Sequence, residues 1–325
     1  MDNIRVGLVG IGGMGGCHFD NYKNVKGATL VSVCDVRVDM AQKRVGEGDI
    51  KVYGDLDTML ANEKLDMIDI CTPSYLHADM AVKCLEKGYH VLCEKPMTLT
   101  KKDAERVLEA SKKTNKNFMV AHVVRFMAPY VVLRNAIQSG EFGKLLRLDL
   151  KRISSIPTWS WEDWMRDEKR SGGVTIDLSI HDIDYVQSIL GKPDKASAVL
   201  RPIKDNSSFV QSTMIYGETL VNCEGTWYNT DIPFNANYRA VFENGFVEFK
   251  DWKVYKNGKE VEIEKTEDDG KDLGINIGND NGYLNEIQYF VDCIVKGEKP
   301  SFVTPESSAY SITLCEELVN KATII

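Results

Sequence analysis

Histidine is scarce, five in 325 residues, and no Cys-X-X-Cys pair, His-Glu-X-X-His stretch or other Cys/His spacing brings metal ligands together, so neither a structural nor a catalytic metal is expected. No apolar run approaches the roughly 18 residues that span a bilayer. The opening MDNIRVGLVG leads into a strand pattern without a basic region and cleavage site, and the expected location is the cytoplasm. No dense Lys/Arg cluster occurs, and 40 basic against 48 acidic residues give a formal charge of −8, which leaves no footprint for nucleic acid or an anionic membrane. Gly and Pro, 25 and 9, are near ordinary usage, and an apolar fraction of 43% excludes collagenous and disordered classes. The eight cysteines sit partly inside apolar runs, Cys34 in LVSVCD, Cys71 in MIDICTP and Cys93 in HVLCEKP, and read as reduced core thiols.

What is present is a rhythm. Strand patterns at Ile4–Val9, Thr29–Cys34, Met67–Cys71, His90–Cys93 and Asn117–Ala121 alternate with helical patterns at Met14–Tyr22, Val38–Arg44, Leu56–Ala61, Leu76–Lys87 and Lys101–Lys113. Thr100 is a good N-cap for the last of these, with Asp103 at its third position. Repeated βα units predict a doubly wound α/β domain with a parallel sheet over residues 1–122. Residues 123–325 read differently. A helix at Ala128–Gln138, an alternating strand in KLLRLDLKRI and a helical stretch from Gly173 to Leu190 precede five strand-like runs at Ala196–Leu200, Val210–Ile215, Leu220–Trp227, Tyr238–Phe242 and Phe246–Phe249. Turn residues Tyr216-Gly217 and Asn244-Gly245 separate them, which predicts an antiparallel sheet. Two closing helices, Tyr283–Val295 and Pro305–Ala322, are free to pack back on the first domain, and Glu264–Gly282 reads as an exposed loop.

Gly10-Ile11-Gly12-Gly13-Met14-Gly15 follows the first strand and opens the first helix. Glycines there allow a tight turn and close backbone approach, and the helix N-terminus offers N–H groups to a pyrophosphate, so a dinucleotide is expected. Asp35 ends the second strand, where a carboxylate accepts hydrogen bonds from the adenosine ribose and favours NAD over NADP. Arg37 complicates that choice, because a guanidinium can pair with a 2′-phosphate. Cys71-Thr72-Pro73-Ser74 and His77 leave the third of these strands, and Glu94-Lys95 the fourth, all at the carboxyl edge where cofactors gather. A plain strand end with a helix cap is the alternative for Thr-Pro-Ser. Farther on, Asp177, His181 and Asp184 share one face of a predicted helix, a polar stripe that should face a cleft. A carboxylate four residues before an imidazole can orient it and tune it for acid/base work.

The GxGxxG segment, Asp35, CTPSYLH, CEKP and GGVTIDLSIHDID together make the chain resemble the Gfo/Idh/MocA oxidoreductases, and their motifs span residues 10 to 184. The resemblance implies a Rossmann domain followed by an α/β domain with a large open, mostly antiparallel sheet, whose other face commonly forms a subunit interface. It places the family's catalytic lysine on Lys95 and its Asp/His pair on Asp177 and His181. Ser74 stands where Asn is common, and Arg125 where many members carry an arginine near the substrate, although an ion pair is an equal reading. The loop at Trp159, Trp161 and Trp164 offers aromatic faces for a sugar ring or packing at a junction, and Tyr283 is a weaker substrate candidate.

The expected function is hydride transfer between a nicotinamide cofactor and a secondary hydroxyl or ketone of a sugar, cyclitol or sugar derivative. Lys95 would hydrogen-bond the oxygen and His181 would exchange its proton, with Asp177 assisting. Alternatives are redox-assisted glycoside cleavage with tightly bound NAD, and a non-enzymatic dinucleotide-binding sensor. A large sheet with an uncovered apolar face suggests a homodimer or homotetramer.

Overall fold

A computed structural model describes residues 3–263 and 281–325, and the predicted loop Glu264–Gly282 lies outside them except for its last two residues. Cα proximity groups the chain into two units, Met1–His122 with Tyr283–Ile312, and Val123–Gly282 with Thr313–Ile325.

The first unit is built from β1 (Ile4–Val9), α1 (Gly13–Asn21), β2 (Ala28–Cys34), α2 (Val38–Val45), β3 (Lys51–Tyr53), α3 (Leu56–Asn62), β4 (Met67–Ile70), α4 (His77–Glu86), β5 (His90–Glu94), α5 (Lys101–Lys113) and β6 (Phe118–Ala121). The strands form one parallel sheet in the order β3-β2-β1-β4-β5-β6, a doubly wound Rossmann arrangement. β1, β4, β5 and β6 are almost entirely buried, as near-continuous Val, Ile, Leu and Met runs require in a sheet covered on both faces. Thr100 caps α5 by accepting the Asp103 N–H at 3.1 Å, and Asp55 caps α3 through Thr58 in the same way at 2.8 Å. β3 has three residues, too few to show a period in the sequence.

In the second unit α6 (Ala128–Ser139), β7 (Leu145–Ser155), the single turn α7 (Glu168–Ser171) and α8 (Ile180–Leu190) precede β8 (Lys195–Pro202), β9 (Ser208–Tyr216), β10 (Thr219–Tyr228), β11 (Asn235–Phe242), β12 (Gly245–Lys250), β13 (Lys253–Lys256) and β14 (Lys259–Val261). Helix α9 (Gly282–Lys296) falls in the first unit, apart from its first residue, and α10 (Pro305–Asn320) is divided at Ile312, with β15 (Thr323–Ile324) in the second. The sheet runs β14-β13-β12-β11-β7-β10-β9-β8-β15 and is antiparallel except at β7–β10 and β8–β15.

One face of this sheet is core, with Leu148, Leu150, Val221, Cys223, Tyr238 and Ala240 buried. The opposite face corrects an expectation: it is polar rather than apolar. Alternate residues on adjacent strands form a ladder in which Arg147 donates to Asp149 at 2.7 Å, Asn222 donates to Asp149 at 2.8 Å, and Lys151 pairs with Glu224 at 3.2 Å. From Arg147 to Arg152 the burial of β7 alternates with a period of two, which sends Arg147, Asp149 and Lys151 to this face.

The predicted helical stretch from Gly173 to Leu190 is continuous but not uniform: Thr175–Ser179 form a π-helical turn within it, followed by the α-helix Ile180–Leu190. The extra residue in such a turn changes the angular offset between Asp177 and His181 from that of a regular α-helix.

Candidate active site

The three motif glycines have three separate structural requirements. Gly10 has φ +87°, and a Cβ there would lie 2.6 Å from the Cys71 carbonyl oxygen. A Cβ on Gly15 would lie 1.9 Å from the Gly10 carbonyl oxygen, so α1 can approach β1 only because that Cβ is missing. At Gly12 the nearest neighbour of a Cβ is Arg37 Nη2 at 3.7 Å, which leaves the backbone of Gly12, the N-cap of α1, open to a ligand. Tight turn, open backbone and close helix–strand packing are the requirements of a pyrophosphate cradle at a helix N-terminus, and these residues fit one. Ile11, Gly13 and Met14 complete the turn. Its geometry is tied to Asp35, which is 8% exposed and whose Oδ2 accepts the Ile11 N–H at 2.9 Å. The other oxygen accepts the Arg37 N–H at 2.8 Å and Nε at 3.2 Å, so the guanidinium is engaged by the carboxylate beside it.

Because the strands are parallel, β1, β4 and β5 deliver Gly10, Cys71–Ser74 and Glu94-Lys95 to the same edge. His77 ties two of these ends together, with Nδ1 2.7 Å from the Pro96 carbonyl and Nε2 2.8 Å from the Thr72 carbonyl. Burial lowers its pKa, and the neutral ring donates its single N–H to one of these carbonyls while packing against the other. Ser74 is buried and makes no cap hydrogen bond; Pro73 takes the N-cap position of the 3-10 turn. Cys71 is buried, with Sγ donating to Asp69 at 3.5 Å, and burial raises its pKa, so it is an inert thiol. Lys95 is half-buried, and Glu94 Oε2 accepts its backbone N–H at 2.9 Å.

In the second unit Asp177 and His181 are 4% and 9% exposed, at the junction of the π turn with α8. Gly225 of β10 makes room for that turn, because a Cβ there would meet Ser179 Oγ at 1.8 Å. Asp184, the third member of the predicted stripe, accepts from Arg125 Nε at 2.8 Å and Nη2 at 2.6 Å, both residues being nearly inaccessible. The ion-pair reading of Arg125 is therefore the one observed. A second buried pair, Arg152–Asp182 at 2.7 Å, leaves the neighbouring face of α8, with Arg152 also donating to the Tyr130 hydroxyl at 2.9 Å. Trp159 stands 56% exposed in its loop, whereas Trp227 is a core residue of β10. Tyr283 is buried in the first unit, its ring centroid 6.5 Å from that of His18.

Residues 4–122 match the model of the oxidoreductase family with an NAD-binding Rossmann fold, and residues 130–247 match the GFO/IDH/MocA C-terminal domain. The chain belongs to the Gfo/Idh/MocA oxidoreductase family. Its Rossmann domain binds NAD. A myo-inositol 2-dehydrogenase of Thermotoga maritima is 29% identical over 192 residues, 58% of this chain and 55% of that protein, so the matched stretch spans little more than half of that relative. A 4-carboxy-2-hydroxymuconate-6-semialdehyde dehydrogenase of Sphingobium is 28% identical over 254 residues, 74% of this chain and 78% of its own. An oxidoreductase from Agrobacterium radiobacter, solved with NAD+, L-tartaric acid and magnesium, shares the fold with a TM-score of 0.84 at 17% identity, covering 98% of this chain and 96% of that one.

Within the Gfo/Idh/MocA frame, sequence reasoning passed over His18, Asp69 and Glu286. All three are fully buried ionisable residues in the first unit. The signal was available: an aspartate inside the apolar strand MIDI and a glutamate inside an apolar helix both call for buried partners.

Proposed function

We propose that this Gfo/Idh/MocA protein is an NAD-dependent dehydrogenase acting on a secondary hydroxyl, or the corresponding ketone, of a cyclitol, sugar or sugar derivative. The observation that carries the reading is the delivery of Lys95 to the sheet edge that also holds the glycine turn and the Cys71–Ser74 loop. Bound NAD supplies a two-electron hydride acceptor. The Lys95 ammonium donates a hydrogen bond to the substrate oxygen and stabilises negative charge as it develops there. His181 exchanges the hydroxyl proton, and Asp177 orients and tunes it. Asp35 selects NAD, since its carboxylate engages Arg37 and repels a 2′-phosphate. The exposed Trp159 ring is the candidate surface for the C–H face of a sugar.

The eight free cysteines suit a reducing compartment, the cytoplasm. Among the described residues no helix is long and apolar enough to cross a membrane. The polar face of the second sheet is our candidate for a homodimer or homotetramer contact.

The test is absorbance at 340 nm with NAD and, separately, NADP across cyclitols, aldoses, sugar acids and their glycosides. We expect turnover with NAD and a polyol, and a loss of kcat of about 10²- to 10⁴-fold in Lys95→Ala and His181→Ala, the range of general acid/base groups. Tight NAD binding without net reduction on any polyol, or full turnover in Lys95→Ala, would overturn the reading.

A further inference from the structure

Behind Lys95 lies a cluster of buried ionisable groups that binding of the dinucleotide leaves unexplained. His18 of α1, Asp69 of β4 and Glu286 of α9 have no exposed surface, and Glu94 of β5 is 5% exposed. His18 Nδ1 is 2.8 Å from Asp69 Oδ2, which also accepts the Tyr22 hydroxyl at 2.8 Å. His18 Nε2 is 3.2 Å from Glu94 Oε1, and the other Glu94 oxygen accepts the backbone N–H of Lys95 at 2.9 Å. Both ring nitrogens thus face carboxylates, and both can donate only if the ring is an imidazolium. Burial opposes that charge, but the Asp69 carboxylate overrides it and holds His18 protonated well above the ordinary imidazole range. Glu94, despite its own burial, is held below the usual carboxylate range by His18.

Glu286 differs from these. Neither of its oxygens has a hydrogen-bond partner among the described residues, yet an oxygen of its carboxyl, one of Glu94 and a His18 nitrogen all lie within 4.8 Å of one another. A buried carboxyl beside an ionised one stays protonated, and burial followed by the Glu94 charge pushes its pKa well above the usual value. The remaining titratable groups around the cluster are Cys17, Cys71, Cys93, Tyr22, Tyr283 and His77. All are neutral, since burial raises the thiols and phenols, Cys17 to about 11, and lowers His77. The cluster therefore carries one net negative charge, one residue away from the Lys95 ammonium.

We propose that His18 and Glu286 are positioning residues for Lys95: together they clamp the Glu94 carboxylate, and Glu94 fixes the backbone from which the Lys95 side chain departs. The inference rests on the reading in which Lys95 touches the reacting hydroxyl. His18 supplies the countercharge that keeps Glu94 ionised. Glu286 packs a neutral acid against Glu94 without a hydrogen bond to it, and its ionisation would place a second negative charge against the first. A divalent cation could replace these two protons charge for charge, so the metal content of the protein is part of the test.

Three measurements on the full chain decide the matter. In the first, competitive acetylation of Lys95, followed by peptide mass spectrometry across pH, reads its reactivity without any substrate. We expect His18→Gln and Glu286→Leu to move the pH of half-reaction by about half a unit or more, and Glu286→Gln, neutral and isosteric, to leave it in place. Unmoved Lys95 titration in both disruptive variants would overturn the proposal, as would a stoichiometric divalent cation found by elemental analysis.

The second measurement is thermal unfolding against pH, which holds even if Glu286→Leu fails to fold. A glutamate neutral in the folded chain and ionised in the unfolded one binds a proton on folding, so its contribution is complete below the ordinary carboxyl range and is lost as pH rises toward the raised folded value. Glu286→Gln lacks that loss, and its Tm advantage over the wild type should widen from pH 5 to pH 8; a constant gap would contradict a protonated Glu286.

The third measurement separates this proposal from the one beneath it. If the cluster acts through Lys95, Lys95→Ala/Glu286→Leu turns over no more slowly than Lys95→Ala alone, and an additive drop overturns the clamp. Full turnover in Lys95→Ala would instead sink the functional reading, leaving the labelling and unfolding outcomes intact.

Discussion

At the residue scale the motif glycines predict two opposite phenotypes. Gly15→Ala must drive a methyl into the Gly10 carbonyl, 1.9 Å away, and something in the β1–α1 turn has to move. Overpacking of this kind costs about 1–3 kcal/mol, so Tm should fall along with NAD affinity. Gly12→Ala meets only the end of Arg37 at 3.7 Å, and its stability loss should stay under about 1 kcal/mol, the scale of an N-cap change. Its methyl occupies the surface a pyrophosphate must approach, and NAD binding should weaken by about tenfold or more, each factor of ten being about 1.4 kcal/mol. Thermal melts with and without NAD separate the cases. A Gly12→Ala protein as unstable as Gly15→Ala, or one that binds NAD normally, would contradict the assignment of roles.

The buried pair Arg125–Asp184 gives a second prediction at this scale. Replacing Arg125 by Met leaves an uncompensated carboxylate that is 1% exposed, and breaking a buried pair from one side costs about 3–5 kcal/mol. Arg125→Met/Asp184→Leu removes both charges and should recover most of that loss in chemical denaturation. Equal destabilisation in the single and double variants would mean that Arg125 matters for something other than Asp184.

At the scale of elements, the sequence displayed what periodicity and end signals can carry. The strands β1, β4, β5 and β6 are continuous apolar runs, and α5 lies between a threonine cap and a basic last turn, so their places were legible to within a residue or two. β3, β13 and β14 were not, being three or four residues long and lacking the continuous buried apolar run that marks β4 and β6. The hairpin of β13 and β14 did leave a signal in Asn257-Gly258, both with positive φ, the preferred pair of a type I′ turn. Of the candidate site, the residues at strand ends could be read from position, whereas the buried cluster could not, because its members come from β4, β5, α1 and α9 and meet only in the fold.

The π turn was illegible for another reason: Ile176 continues the apolar pattern of Ile180 and Ile183, and the packing of Ser179 over Gly225 is a contact only the fold brings together. Gly225→Ala should therefore strain that turn, costing about 1–3 kcal/mol and lowering kcat through displacement of Asp177 and His181. Ser179→Ala removes the oxygen that a Cβ would meet at 1.8 Å, so the double variant should be less destabilised than the sum of its parts. Strict additivity in unfolding free energy would show that the two residues do not compete for space.

For the whole molecule, the proposed association through the open face of the second sheet depends on charge. Apolar adhesion is the wrong driving force for it, since rows such as Arg147, Asp149 and Lys151 on β7 lie beside Asn222 and Glu224 on β10 and Arg239 on β11. Cations and anions are interspersed on these rows, so a two-fold related copy can set opposite charges against one another, the self-complementarity an isologous dimer needs. Such an interface is steered and oriented by charge and is screened by salt, with the Debye length falling from about 10 Å at 0.1 M to about 3 Å at 1 M. Sedimentation velocity at micromolar protein should then show dimers or tetramers at 50 mM NaCl shifting toward monomer at 1 M. Reversing two charges in Lys151→Glu/Arg239→Glu should weaken association at low salt while leaving NAD binding by the first unit unchanged. Monomer under both conditions would remove the oligomer, and an assembly indifferent to salt and to the reversal would place the contact on another surface.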